Sequence, residues 1–518
     1  MTRILLLLAC LALVACAPAR GAFDDDDDFD GNTPPADDDD DDDAASDDDD
    51  TPPPEEEDDF LGSEPRGTDV YVFVANAERD TVSRIDAFDR TIETIEVGDE
   101  PTMVVVSSDY QRAVTFNAAA DSVSVIDVAT DEVVDLDVRE DFNTVQIAPD
   151  GRWAAAWFDA RQEDADFDVE GIRTFTEVSF IDTIGLTVQS FSVGFNPSQI
   201  EFPSGSGKAV VVSDAQLTVA DLTVDPIELT LIDLGADPID PPVAAEVEIT
   251  AGAVWAFVRY LGADTIAAVN LVTGAVDELD GGTEPSDMDL SADGSDLLVV
   301  SRGSREIRIF DALDPLGSAA EIVPTPADST IGSLVLAGDD VGLLFTTAAP
   351  EDRVTVWDLA TGEMTAHRLA KPVRAIAISP DGRSALIIHT LADALGEDDL
   401  FTQGQAITVV DLATWLTNPV LVGGRPMKWT TSIDGRYSMF IMEGNRNVGV
   451  VDYLTRLVDD VLVPSQPVHL GMMPIDDGPE QALGWVSQEH ELGRISFLTP
   501  FDGNVETVTG FELNSEID

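Results

Sequence analysis

From Thr68 onward the chain alternates short apolar runs with clusters of Asp, Gly, Thr and Pro, and it reads as strand after strand. One five-residue pattern recurs: apolar, any residue, two apolar residues, then usually Asp. It stands at Val82–Asp86, Val123–Asp127, Val178–Asp182, Leu217–Asp221, Ile266–Asn270, Ile307–Asp311, Val354–Asp358, Ile407–Asp411, Val448–Asp452 and Ile495–Thr499. Successive copies end 41, 55, 39, 49, 41, 47, 53, 41 and 47 residues apart, which is the spacing of a four-stranded propeller blade. Turn signals keep the same phase. Asp150-Gly151, Asp293-Gly294, Asp381-Gly382 and Asp434-Gly435 precede copies of the pattern, and Asp-Gly between apolar runs marks a hairpin. A fourth strand then runs out at Gly and Pro, as at Gly98 to Pro101, Gly282 to Pro285 and Gly423 to Pro426. In Val123-Ser-Val-Ile126 the apolar groups occupy both faces, as a strand packed between two neighbouring sheets requires.

These features predict an all-β fold: a β-propeller of four-stranded antiparallel blades over residues 68–518, with seven to ten blades and one continuous ring. The segment Phe73-Val-Ala-Asn76, the run Asp80 to Asp86, and Ile95-Glu-Val-Gly98 with Pro101 resemble the Tyr-Val-Thr-Asn (YVTN) propeller repeat. Asp121 to Asp127 followed by Ala129-Thr130 is more similar still. The resemblance runs diffusely across residues 68–518. The first copy shows no innermost strand before Tyr71, and the C-terminal stretch Val505 to Asp518 is expected to help close the ring there.

The start of the chain is of another kind. Arg3 is followed by an apolar run from Ile4 to Val14, too short for a spanning helix, which needs about 20 residues. It ends in Leu13-Val14-Ala15-Cys16, which resembles the bacterial lipobox. That resemblance implies a signal peptide over 1–16, a lipid on Cys16 and a membrane held through that lipid. Cys10 also follows a Leu-Leu-Ala run but leaves a shorter apolar segment. Ala17 in place of Asp after the cysteine implies sorting to the outer membrane. No cysteine follows Cys16, so no disulfide supports the fold.

Residues 17–67 are a low-complexity tether with 23 acidic and 2 basic residues. Such like-charge blocks repel one another and carry too little apolar surface to offset ordering. The whole chain holds 101 acidic and 27 basic residues, and 78 against 24 remain once the signal and tether are set aside. That balance excludes nucleic acid as a partner, because a phosphate backbone needs clustered cations. It also leads us to expect a domain that is most stable in screening salt. Only Lys208, Lys371 and Lys428 are lysines.

The two longest insertions, 159–175 and 390–405, fall between the second and third strands of their repeats and so rim one face of the ring. Long loops in compact folds often carry function. The candidate binding face comprises Arg161, Phe167, Arg173, Phe175, Leu400 and Phe401, for a protein or glycan partner. Asp164, Asp166, Asp168 and Glu170 alternate as in a calcium loop, but Val169 stands where that loop places Gly, so calcium is a weak candidate. No other cofactor is expected. His367, His389, His469 and His490 lie in different repeats, and no haem, nucleophile-elbow or phosphate-loop motif is present. The sequence therefore favours an envelope lipoprotein displaying a non-catalytic binding module. The alternatives are a propeller enzyme of lactonase or quinone-dependent dehydrogenase type, and a structural surface-layer component.

Overall fold

A computed structural model describes residues 66–161, 174–235, 244–338, 340–348, 351–390, 404–475, 478–490 and 492–511. Among them are ten four-stranded antiparallel sheets, each made of four consecutive strands paired in chain order. Helical structure among the described residues is confined to three single 3-10 turns. The sheets are numbered here as blades 1 to 10.

In every blade the repeated pattern is the third strand and ends with it, from Thr81–Asp86 in blade 1 to Arg494–Thr499 in blade 10. All ten copies belong to full four-stranded blades. The terminal Asp is there for the turn that follows. Asp86 Oδ1 accepts from the amides of Phe88 and Asp89 at 2.7 and 2.9 Å. Asp182 does the same for Ile184 and Gly185, and Asn270 for Val272 and Thr273. A short side-chain acceptor thus satisfies amides that the turn leaves outside the ladder.

The turn between the first and second strands uses a second device. Ser432 Oγ donates to Asp434 Oδ1 at 2.6 Å and accepts from the Tyr437 amide at 2.9 Å. Ser107–Asp109, Ser291–Asp293 and Ser379–Asp381 repeat it. Gly151 closes the corresponding turn of blade 3, where Ala148 replaces the serine, at φ +70°, and a Cβ there would lie 2.7 Å from Ser107 Cβ of blade 2. Glycine is required twice over, by its φ and by the neighbouring blade.

Each blade packs on the next through its own apolar cluster of seven to thirteen buried side chains. The ten clusters join blades 1 to 10 in series and then join blade 10 back to blade 1. This last seam holds Val72, Ile85 and Ala87 against Met473, Leu483, Trp485, Ile495, Phe497 and Phe511. Arg90 of blade 1 reaches across it, 4.3 Å over the Phe497 ring and 3.1 Å from Glu506. Among the described residues no strand crosses the seam, and side-chain contacts between blades 10 and 1 close the ten-bladed ring.

One expectation is corrected at the seam. Blade 1 does have an innermost strand, the two-residue Arg66–Gly67 paired with Tyr71–Asn76. The C-terminal stretch takes part in closing the ring, as expected: Asn504–Thr509 is the outer strand of blade 10, Glu506 meets Arg90 of blade 1, and Val508 and Phe511 pack into the seam. Innermost strands are edge strands, which suits their opening prolines Pro101, Pro285, Pro426 and Pro467. In each of these four the register slips by one residue just after the proline, a bulge that turns the extra side chain out of the ladder.

Trp485 is the keystone of the seam. It is 2 % exposed. A Cβ on Gly471 of its own blade would lie 2.4 Å from its ring, and one on Gly67 of blade 1 would lie 2.9 Å from Nε1. Trp485→Ala is expected to cost about 3–5 kcal/mol, read as a lower urea midpoint. Hydrogen exchange should show blades 1 and 10 losing protection ahead of blades 4 to 6; uniform loss around the ring would contradict the keystone role.

Candidate functional site: the axial channel

Stacked sheets lie about 10 Å apart, so ten of them cannot converge on a point; their innermost strands ring an opening with a radius on the order of 10 Å. Charge is divided around this wall. On blades 4 to 6 the innermost strands carry Glu201, Glu246, Glu248, Asp287 and Asp289. Across the ring, on blades 9, 10 and 1, they carry Lys428, His469 and Arg66.

The acidic arc has a locked core. Arg259 Nε donates to Glu246 Oε2 at 2.9 Å, and its Nη1 donates to the Pro285 carbonyl of blade 6 at 3.3 Å. Asp287 accepts from the amides of Met288 at 2.9 Å and of Leu334, in blade 7, at 2.5 Å. Burial and the nearby Asp287 raise Glu246 well above the ordinary carboxylate range despite Arg259. Burial also raises Asp287, while Arg259 and the two amides pull it back. This network ties blades 5, 6 and 7 together, a structural use of buried charge. Beside it, burial with Glu201 and Asp287 close by pushes Glu248 up to about 8. Burial raises Glu201 as well, although Gln199 Nε2 donates to it at 2.9 Å.

The histidines divide by role. His389 is buried; its ring nitrogens meet the Pro372 carbonyl at 3.0 Å and Thr408 Oγ1 at 2.7 Å. It ends the second strand of blade 8, where Asn76 and Asn117 in blades 1 and 2 likewise bond hydroxyls of the third strand. His389 is a blade-8 version of that tie, and burial lowers it to about 4. His367 stacks on Trp415 at 4.1 Å, and His490 Nδ1 accepts from the Leu492 amide. Only His469 belongs to the channel. Among the described residues no group of three or more His, Cys, Asp or Glu is placed to hold a metal ion.

Of the sequence candidates, Arg161 and Phe175 are described. They stand at the two ends of the blade 3 insertion and serve as its roots. Arg161 bonds Asp159 through two nitrogens, each at 3.0 Å, and reaches the Ser198 carbonyl of blade 4. Phe175 packs edge-on to Phe158 at 4.9 Å and stacks on Phe195 at 5.8 Å. At the blade 8 insertion the buried Lys371 donates to the Gly404 carbonyl. Phe167, Arg173, Leu400 and Phe401, the calcium candidates Asp164, Asp166, Asp168 and Glu170, and Cys16 lie outside the described residues.

No family model matches the chain, and no curated protein matches it. Solved structures do. One is the dihydro-heme d1 dehydrogenase NirN in complex with DHE, at 14% identity over 70% of this chain and 76% of that one, TM-score 0.41. Another is a eukaryotic initiation factor, at 10% identity over 76% and 96%, TM-score 0.49. A third is the hydrazine synthase of Kuenenia stuttgartiensis, at 14% identity over 79% and 95%, TM-score 0.33. At these levels the likenesses say nothing of what this chain binds or does, and the propeller stands on its own ten sheets.

Sequence reasoning passed over the channel charges, although Glu246-Val-Glu248 and Asp287-Met-Asp289 show the two-residue alternation of one strand face. They have a measurable consequence. Glu248, raised from an ordinary 4.5 to about 8, is held protonated by the fold. Its contribution to stability is full below pH 4.5 and is lost as the pH rises to 8. His389 and His469, both lowered to about 4, are held neutral, and their contribution is lost as the pH falls from 6.5 to 4. Glu248→Gln should therefore stabilise the protein at alkaline pH by roughly 1–3 kcal/mol and leave it unchanged at acid pH. Melting curves across that range check this; an unaltered pH profile would contradict it.

Proposed function

We propose that the protein is a cell-envelope lipoprotein, anchored through Cys16, whose propeller is a non-catalytic binding module for a protein or glycan partner. The observation that supports this reading best is the placement of the two long insertions. Each joins the second and third strands of its blade, one in blade 3 between Trp153–Trp157 and Glu177–Asp182, the other in blade 8 between Ser384–His389 and Ala406–Asp411. Blades 3 and 8 are five apart in a ring of ten, so the insertions are rooted on opposite sides of one channel mouth. Their roots are pinned by Asp159–Arg161 and by Lys371. Loops on rigid roots around a mouth suit recognition of something larger than a small solute. The tether, at up to about 3.3 Å per residue, would give the anchored ring reach.

The enzyme alternative has one supporting observation, the raised carboxylates of blades 4 to 6, since groups poised near neutral pH cluster at active sites. Glu246 and Asp287 of that arc are already engaged in holding blades 5 to 7 together, so binding is the better supported reading.

Cross-linked co-purification of the full lipidated protein at native salt tests it. A stoichiometric partner is expected, and it should be lost when 162–173 and 391–403 are replaced by short Gly-Ser linkers that leave the melting temperature within a few degrees. A partner retained by that variant, or no partner at all, would overturn the reading.

A further inference from the structure

In blades 1, 2, 8 and 10 the last residue of the second strand bonds a hydroxyl at the third position of the third strand. Asn76 Nδ2 donates to Ser83 Oγ at 2.9 Å, Asn117 Nδ2 to Ser124 Oγ at 2.8 Å and Gln488 Nε2 to Ser496 Oγ at 2.7 Å, and His389 Nε2 meets Thr408 Oγ1 at 2.7 Å. Blade 5 breaks this tie. Its third strand, Thr265–Asn270, has Ala267 at the third position, and its second strand, Trp255–Tyr260, ends in tyrosine. Alanine offers no hydroxyl. The Tyr260 hydroxyl is buried and meets no hydrogen-bond partner among the described residues. A buried hydroxyl left unpaired costs the desolvation of that group, and a ligand that pairs with it recovers the cost.

Space accompanies the orphaned group. A cavity of about 290 Å³ lies between blades 4 and 5, lined by Leu234 of blade 4 and by Tyr260, Leu261, Ala267, Val276 and Glu278 of blade 5. Leu234, Ala267 and Tyr260 also belong to one apolar cluster. Leu261 and Val276 are 47% and 37% exposed, so the cavity is reached from solvent. An apolar cavity of about 150 Å³ already takes benzene, and this one has room for a larger ring. Glu278 stands directly across the ladder from Ala267, and no lysine or arginine lines the cavity. A carboxylate in the wall without a cation selects against anions. Burial raises Tyr260 to about 12, so its hydroxyl keeps its proton and can donate at ordinary pH.

We propose that the cavity between blades 4 and 5 binds a compact, uncharged apolar ring bearing a hydroxyl. The ring packs on Leu234, Leu261, Ala267 and Val276, and its hydroxyl pairs with that of Tyr260. The site uses no residue of either insertion, so it stands or falls apart from the partner proposed above.

The test uses the full mature chain and three probes of similar size: naphthol, naphthalene and naphthoate. Fluorescence titration should show naphthol binding more tightly than naphthalene, with naphthoate unable to compete. Tyr260→Phe should weaken naphthol about tenfold and leave naphthalene unchanged. That variant should melt no lower than the wild type, because it removes a hydroxyl that no protein group pairs with. Glu278→Gln should admit naphthoate. Ala267→Leu, which fills the cavity, should abolish binding of all three, and the conservative Tyr260→Phe carries the test if the larger side chain unfolds blade 5. No binding of naphthol, or equal naphthol affinity in the wild type and Tyr260→Phe, would overturn the proposal. So would naphthoate competing as well as naphthol, or a Tyr260→Phe protein that melts several degrees lower, since the hydroxyl would then have a partner inside the fold.

Discussion

A blade inside a ring has no wet face. Its middle strands lie between two neighbours and must offer apolar groups on both sides, and this must hold ten times over, including where the two ends of the chain meet. The seam is where the constraint bears hardest. Among the described residues side-chain contacts alone join blade 10 to blade 1, since each blade is built from one contiguous stretch. That packing is no thinner than elsewhere, with nine buried apolar residues against seven between blades 1 and 2. Trp485 fills the seam because Gly67 and Gly471 leave it room, and Arg90 bridges it on the outer side. With the ring closed, the innermost strands need not meet, and the space between them is the channel.

The same geometry explains why charge collects at the axis. Interface clusters exclude charge, and outer strands are free to carry it, but an innermost strand has one edge toward the opening and both faces toward neighbouring blades. Polar groups there are half-buried and close together. Carboxylates in that position repel and are desolvated, so Glu246 and Glu248 are both raised above the ordinary carboxylate range. Arg259 converts part of the same crowding into a tie across three blades. The basic arc on blades 9, 10 and 1 is the opposite solution of the same problem, with a lysine donating to a neutral imidazole.

The fold was legible because its signals are local. The apolar pattern marks third strands since both faces are buried, and the Asp that ends it marks a turn whose amides need an acceptor. Blade number is not local. It depends on the wedge angle at which successive sheets pack, which no single repeat states, and so the pattern alone left seven to ten open. Blade 1 hid its innermost strand because two residues, Arg66 and Gly67, are too few to show alternation. The channel was hidden differently. Alternating acids such as Asp287 and Asp289 are plain enough, but among 101 acidic residues they do not stand out until the sheet order places them on one wall. Arg161 and Phe175 were chosen as binding residues, and their described contacts make them the roots of an insertion.

The central claim is that one ring of ten blades closes between the chain's ends. Spin labels at Phe88→Cys and Phe501→Cys, in the exposed outer turns of blades 1 and 10, with Cys10→Ser and Cys16→Ser to remove the chain's own two thiols, measure that closure directly. The reference pair is Leu454→Cys with Phe501→Cys, in adjacent blades 9 and 10. The account requires both pairs to give the same short separation. A separation between the labels of blades 1 and 10 much longer than the reference would mean an open or divided ring, and would contradict it.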